Sequence, residues 1–105
     1  MVLKQLALLI LLGFCQINVT VADNSGFDEI CHIYTEALNS NMSGDQLNTF
    51  ILDNIKTRIN NKDAKTTHDA IPFASPKERY KIFKDSAERY LKKQWDCAAM
   101  KTLMK

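Results

Sequence analysis

The chain is predicted to be all-α: a small bundle of three to four helices, preceded by a signal peptide and closed by one inter-helix disulfide. Three observations predict it. Apolar residues recur at three- and four-residue spacing from about residue 26 to residue 103, the signature of one-sided helices. Three glycines and two prolines in 105 residues leave few points at which an element must stop. Two cysteines, Cys31 and Cys97, remain once an N-terminal leader is set aside.

The leader is residues 1–22. Lys4 supplies a positive start, Leu6 to Cys15 is apolar apart from Gly13, and Thr20-Val21-Ala22 offers small residues for cleavage. That run of about ten residues is half the roughly 20 that a spanning helix needs. Cys15 lies inside the run and leaves with it. Phe14, directly before Cys15, does not fit a lipid-attachment site. Residues 23–105 are then expected to form a single domain. Such a length is near the lower limit for an independent core, so a staple is expected. An exported chain with two cysteines has one pairing, Cys31 with Cys97.

The first helix is expected from Gly26 to Asn39, capped by Ser25, with Phe27, Ile30, Cys31, Tyr34, Ala37 and Leu38 on one face. The second begins at Ser43-Gly44-Asp45-Gln46, which reads as a capping box, with Met42 and Leu47 as its hydrophobic staple. Leu47, Phe50, Ile51, Leu52, Ile55 and Ile59 cover more than half its circumference, so it is expected at the centre of the bundle. Its end is placed at Asn60-Asn61, because asparagine tolerates a left-handed turn. A weaker helix runs from Lys62 to Ala70 with Ala64, His68 and Ile71 on one side. Pro72 then imposes a turn on Ile71 to Ala74. The last helix starts at Ser75-Pro76-Lys77-Glu78, a second capping box with proline in the first turn. Unbroken to Leu103 it would be about 40 Å long at 1.5 Å per residue, so a bend at Lys92–Gln94 is expected.

The residues that could carry chemistry are few. Adjacent helical residues point about 100° apart, so His32 cannot serve Cys31 as a base, and no Cys-x-x-Cys motif is present. His32 and Glu36 share a helical face, with Asp28 one turn earlier, and are the weak candidates for a metal. No second cluster completes a tetrahedral set, so neither a metal nor any other cofactor is expected. Trp95 is the only tryptophan, at the edge of its face beside Cys97. Asn41-Met42-Ser43 fits a glycosylation acceptor.

Charge is uneven along the chain. Residues 23–75 carry four basic and eight acidic groups; residues 76–105 carry nine basic and four acidic. The two halves are expected to complement each other in the fold. Lys77, Lys81, Lys84 and Lys92 line one flank of the last helix and form a candidate anion-binding face. Asp85 and Glu88 interrupt it, which argues against nucleic acid. Ile82, Met100 and Leu103 fall off the main apolar face and form a candidate partner surface.

The resulting expectation is an exported protein, periplasmic or secreted, that is not an enzyme. It acts by contact with an unknown protein partner, in a chaperone, inhibitor or immunity-type role. The alternative is a module that binds anionic lipid or polymer through the basic last helix, peripheral to any membrane. In size and architecture the expected domain resembles small periplasmic stress chaperones and secreted-toxin immunity proteins, at the level of fold alone.

Overall fold

A computed structural model describes residues 17–104 of the chain, with side chains from Gly26 onward. The described residues form five α-helices and no strand: α1 (Ile17–Asn39), α2 (Gly44–Arg58), α3 (Lys62–Ala70), α4 (Pro76–Leu91) and α5 (Ala98–Leu103). A 3₁₀ turn, Ile71–Phe73, joins α3 to α4. The apolar run of the expected leader lies outside the described residues. No described helix is long and apolar enough to cross a membrane.

The central element is α1, not α2. It packs against α2, α3 and α5. Phe27, Ile30, Ile33, Tyr34 and Ala37 are all buried, a stripe wider than the one expected because neighbours approach from several sides. Ile33, off the expected face, is fully covered, and Leu38, placed on that face, is 40% exposed. By contrast α2 buries Ile51 and Ile55 and leaves Leu52 56% exposed. Its apolar girth exceeds the surface available to cover it. The backbone of α1 is helical through Ser25, so Ser25 is not an N-cap.

Local signals set the other boundaries in part. Ser43 and Ser75 hold the N-cap positions of α2 and α4, in extended backbone, but neither side chain makes the capping hydrogen bond. In place of a side-chain cap, the Ser75 carbonyl accepts from the Glu78 N–H at 2.9 Å. Asn61 does not end α2; Ile59 does, in extended geometry, and Asn61 caps α3 by accepting from the Ala64 N–H at 2.9 Å. The Asn61 amide also donates to the Tyr90 hydroxyl at 3.2 Å, which ties that cap to α4. The left-handed turn expected near Asn60 falls at Asn41 (φ 64°), between α1 and α2.

The long last helix breaks where a bend is expected. Lys92 takes φ 58° and ψ 42°, a left-handed cap more often filled by glycine or asparagine. Its N–H still donates to the Glu88 carbonyl at 2.8 Å. The chain then turns back and Cys97 starts α5, which lies on α1. Cys31 and Cys97 are disulfide-bonded, with their Cα atoms 5.8 Å apart. Phe83, fully buried on α4, is the hub of the core. Its ring meets Phe27 at 5.3 Å, Trp95 at 5.5 Å and His68 at 6.1 Å, so α1, α3, α4 and the α4–α5 loop converge on one side chain. Truncating a phenylalanine in such a setting costs about 3–5 kcal/mol.

Two expectations about stability follow from this packing. Cys31→Ser with Cys97→Ser is expected to lower unfolding stability by about 4 kcal/mol, the loop-closure value for a loop of about 67 residues. Chemical denaturation monitored by Trp95 fluorescence, with and without reductant, measures it. Gly26 sits where α1 meets α3, and a Cβ there would lie 2.3 Å from Asn61 Cβ. Gly26→Ala is therefore expected to destabilise by about 1–3 kcal/mol, despite alanine's better helix propensity. A gain in melting temperature would contradict that close approach.

Candidate functional site

Among the described residues, a cleft of about 280 Å³ lies beside Lys84, Gln94, Trp95 and Asp96, and two more lie between helices. One, of about 280 Å³, has a mixed polar and apolar lining and runs between α3 and α4 past Thr67, Ser86, Arg89 and Tyr90. The other is a mainly apolar groove of about 370 Å³, within the usual size of ligand pockets. Leu47 and Ile51 of α2, Ile71 and Pro72 of the 3₁₀ turn, and Leu103 and Met104 at the end of α5 supply its apolar walls. Tyr34 and His68 line it from α1 and α3, and Arg79 lines it from α4. The groove exists because α2 is covered on one side only, and because Pro72 turns the chain across the gap.

His68 is 6% exposed and is the only buried polar or charged side chain among the described residues. Its Nε2 lies 2.6 Å from the Tyr34 hydroxyl, and its ring meets Tyr34 and Phe83 edge-on. Burial pushes the imidazole down to about 4, opposed by nearby Asp69, so the ring is neutral at pH 7. Burial also raises the Tyr34 phenol well above its ordinary value. The expected placement of His68, toward the apolar side of a weak helix, is what α3 presents. Its partner Tyr34 was legible only as a core aromatic, because 34 residues separate them.

Arg79 is held by the turn it faces. Its Nε donates to the Ala74 carbonyl at 3.0 Å and one terminal nitrogen donates to the Pro72 carbonyl at 3.3 Å. The guanidinium is thus positioned by backbone at the rim of the groove.

The other sequence candidates are dispersed. Met100 is fully buried and cannot belong to a partner surface; Leu103 is half-buried in the groove wall, and Ile82 is 38% exposed on α4. On the lysine flank, Lys81 pairs with Asp85 at 2.6 Å and Lys84 with Glu88, while Lys77 and Lys92 are exposed. These hydrogen bonds hold the Asp85 and Glu88 carboxyls below their ordinary range and the two amines above theirs. Lys84 also donates to the Trp95 carbonyl at 2.8 Å, and Glu88 accepts the Trp95 N–H at 3.0 Å, so this pair braces the loop before Cys97.

The proposed metal pair is likewise drawn apart. Glu36 and Glu29 both accept from Arg58, which bridges α2 to α1, and that hydrogen bond lowers the Glu36 carboxyl. His32 Nδ1 lies 3.7 Å from Glu29. Asp28 instead accepts the Trp95 indole N–H at 2.9 Å. Trp95 is buried at 5% exposed, with its ring on Phe83. Among the described residues no group of three or more His, Cys, Asp or Glu is placed to hold a metal ion. Cys97 is the other end of a tight loop: its N–H donates to the Tyr80 hydroxyl at 2.9 Å, which donates to Asp96 at 2.7 Å. That bond lowers the Asp96 carboxyl. Each ion pair among the described residues lies within one charge half of the chain, so the acidic and basic halves are paired internally and not to each other.

The buried histidine has a measurable signature. Its folded pKa is depressed below its unfolded value, so the unfolded chain binds a proton more readily between pH 6.5 and about 4. The stability is fully present above about pH 6.5 and falls as pH drops through that window. The loss is roughly 3 kcal/mol at one pKa unit per about 1.4 kcal/mol. Denaturant titrations from pH 7.5 to 4 are expected to show this slope, and His68→Gln is expected to remove it. No known family model matches the chain, and no curated protein or solved structure matches it.

Proposed function

We propose that the chain is a small exported, non-enzymatic protein that works by contact with another protein, in a chaperone, inhibitor or immunity-type role. The export reading rests on the order of charge, apolar run and small residues in positions 1–22, and on the disulfide, a bond of oxidising compartments. The periplasm or the medium is its place of action.

The observation that carries the contact reading is the exposed rim of the apolar groove. Leu52 lines the groove and is 56% exposed. Phe73 follows Pro72 in the 3₁₀ turn and is 91% exposed. Large apolar side chains left in water beside a preformed groove are a feature of partner surfaces. The reading in which the last helix binds an anionic surface has less support, because Lys81 and Lys84 are already paired with carboxylates of their own helix.

A direct test uses Leu52→Asp together with Phe73→Ser. Both side chains are exposed, so the melting temperature is expected to stay within a few degrees of wild type. Cross-linking in the exported fraction is expected to capture a defined protein with the wild-type chain and to lose it with the double variant. Equal capture by both chains would remove the groove rim from the contact. Liposome co-sedimentation, with and without Lys77→Glu and Lys92→Glu, checks the anionic-surface alternative in the same preparation.

A further inference from the structure

Beside Asn48, whose amide both donates and accepts, the polar side chains lining the groove are Arg79 and the Tyr34–His68 pair, and both offer donors. Arg79 is the one lining residue with a formal charge at neutral pH. Backbone carbonyls of the turn hold its guanidinium through two of its N–H groups, and the remaining ones are available to an acceptor. The second feature is the Tyr34–His68 pair. A neutral imidazole and a phenol hold two donors between them, one ring N–H and one O–H. Their single mutual hydrogen bond uses one of these, whichever tautomer is present. The other donor belongs to a pair that lines the groove, is nearly fully buried on the His68 side, and has no protein acceptor among the described residues. A buried donor left unpaired is costly, so an acceptor from outside the chain is favoured there.

Size completes the description. A volume of about 370 Å³ holds roughly a dozen non-hydrogen atoms, at about 30 Å³ for a water-sized group. That is comparable to one leucine and one phenylalanine side chain together.

We propose that the groove's occupant is an acidic, apolar segment of the partner protein. Its apolar side chains fill the space between Ile51, Ile71 and Leu103, a backbone carbonyl takes the spare donor of the Tyr34–His68 pair, and an Asp or Glu carboxylate meets Arg79. This rests on the contact reading above and adds the chemistry of the partner. Charge complementarity selects the carboxylate, since a basic segment would face Arg79 with like charge.

The test compares three blocked tetrapeptides of one apolar sequence that carry glutamate, glutamine or lysine at the same position. Binding to the mature disulfide-bonded chain is followed by NMR shifts of Leu47, Ile51 and Leu103. The expected order is glutamate, then glutamine, then lysine. The glutamate peptide should bind about tenfold more tightly than the glutamine one, the worth of one charge-assisted hydrogen bond. Arg79→Gln is expected to bring that ratio close to one, and Arg79→Lys to retain most of it. Because Arg79 also holds the turn, the melting temperature and the unliganded spectrum of both variants are recorded first. If Arg79→Gln unfolds, the Arg79→Lys ratio and the lysine peptide decide the matter. Three peptides that bind equally well would overturn the proposal and leave the groove as a purely apolar contact site. If none of the three moves groove signals at millimolar concentration, the groove is not the contact surface and the reading beneath the proposal falls with it.

Discussion

The bond between Cys31 and Cys97 governs the geometry of the second half of the chain. It requires Cys97 to reach a point 5.8 Å, Cα to Cα, from the middle of α1. A straight helix continuing from Pro76 would carry Cys97 past that point. The helix therefore ends at Leu91, Lys92 adopts a left-handed conformation, and the chain doubles back through Trp95. A lysine in that conformation is disfavoured by its Cβ by about 1–2 kcal/mol. Several contacts outweigh this: the Lys84–Glu88 pair clasps both backbone groups of Trp95, Tyr80 receives the Cys97 N–H, and Asp28 receives the indole N–H. With the return made, α5 covers α1 and Trp95 completes the ring cluster on Phe83.

The same return creates the groove. Leu103 and Met104 stand across from α2 only because α5 has been brought back onto α1. The polar side chains at the base and rim come from α1, α3 and α4 and, at Asn48, from α2 itself. A fold of this size cannot cover every apolar side chain, because surface grows relative to volume as chains shorten. Among the described residues, the large apolar side chains left exposed are Leu38 on α1, Leu52 on α2, Phe73 in the 3₁₀ turn and Ile82 on α4, with Phe73 and Leu52 the most exposed. The buried Tyr34–His68 pair lines the same groove as the exposed Leu52.

Electrostatics is local throughout. Arg58 joins α2 to α1 through Glu29 and Glu36, and the α4 lysines pair within their own helix. A charge census by sequence halves points to attraction between them, but ion pairs form between side chains a few ångströms apart, and such partners come from helix spacing on α4 and from the α1–α2 contact at Arg58. Glu36, Asp85 and Glu88 titrate below their ordinary range, and His68 titrates low for the opposite reason, removal from water.

Periodicity alone determined the helical class, the span of α3, the start of α4 and the side of α3 that carries Ala64, His68 and Ile71, because these depend on 3.6-residue geometry and on proline. Cysteine count pointed to the Cys31–Cys97 pairing only with Cys15 assigned to the expected leader, and the structure contains that bond. Tertiary structure decided which helix is central. Burial depends on how many neighbours an element has, so α1 with a modest stripe is covered from several sides, and α2 with a broad one is not. It also decided that Asn61 opens α3 and does not close α2, since an asparagine's hydrogen-bonding options are settled by which backbone groups come within reach. Met100 entered the core and Leu103 the groove wall because the disulfide swung α5 onto α1. The pairing of Tyr34 with His68 is a buried polar contact between residues 34 positions apart, and no local pattern encodes a contact at that distance.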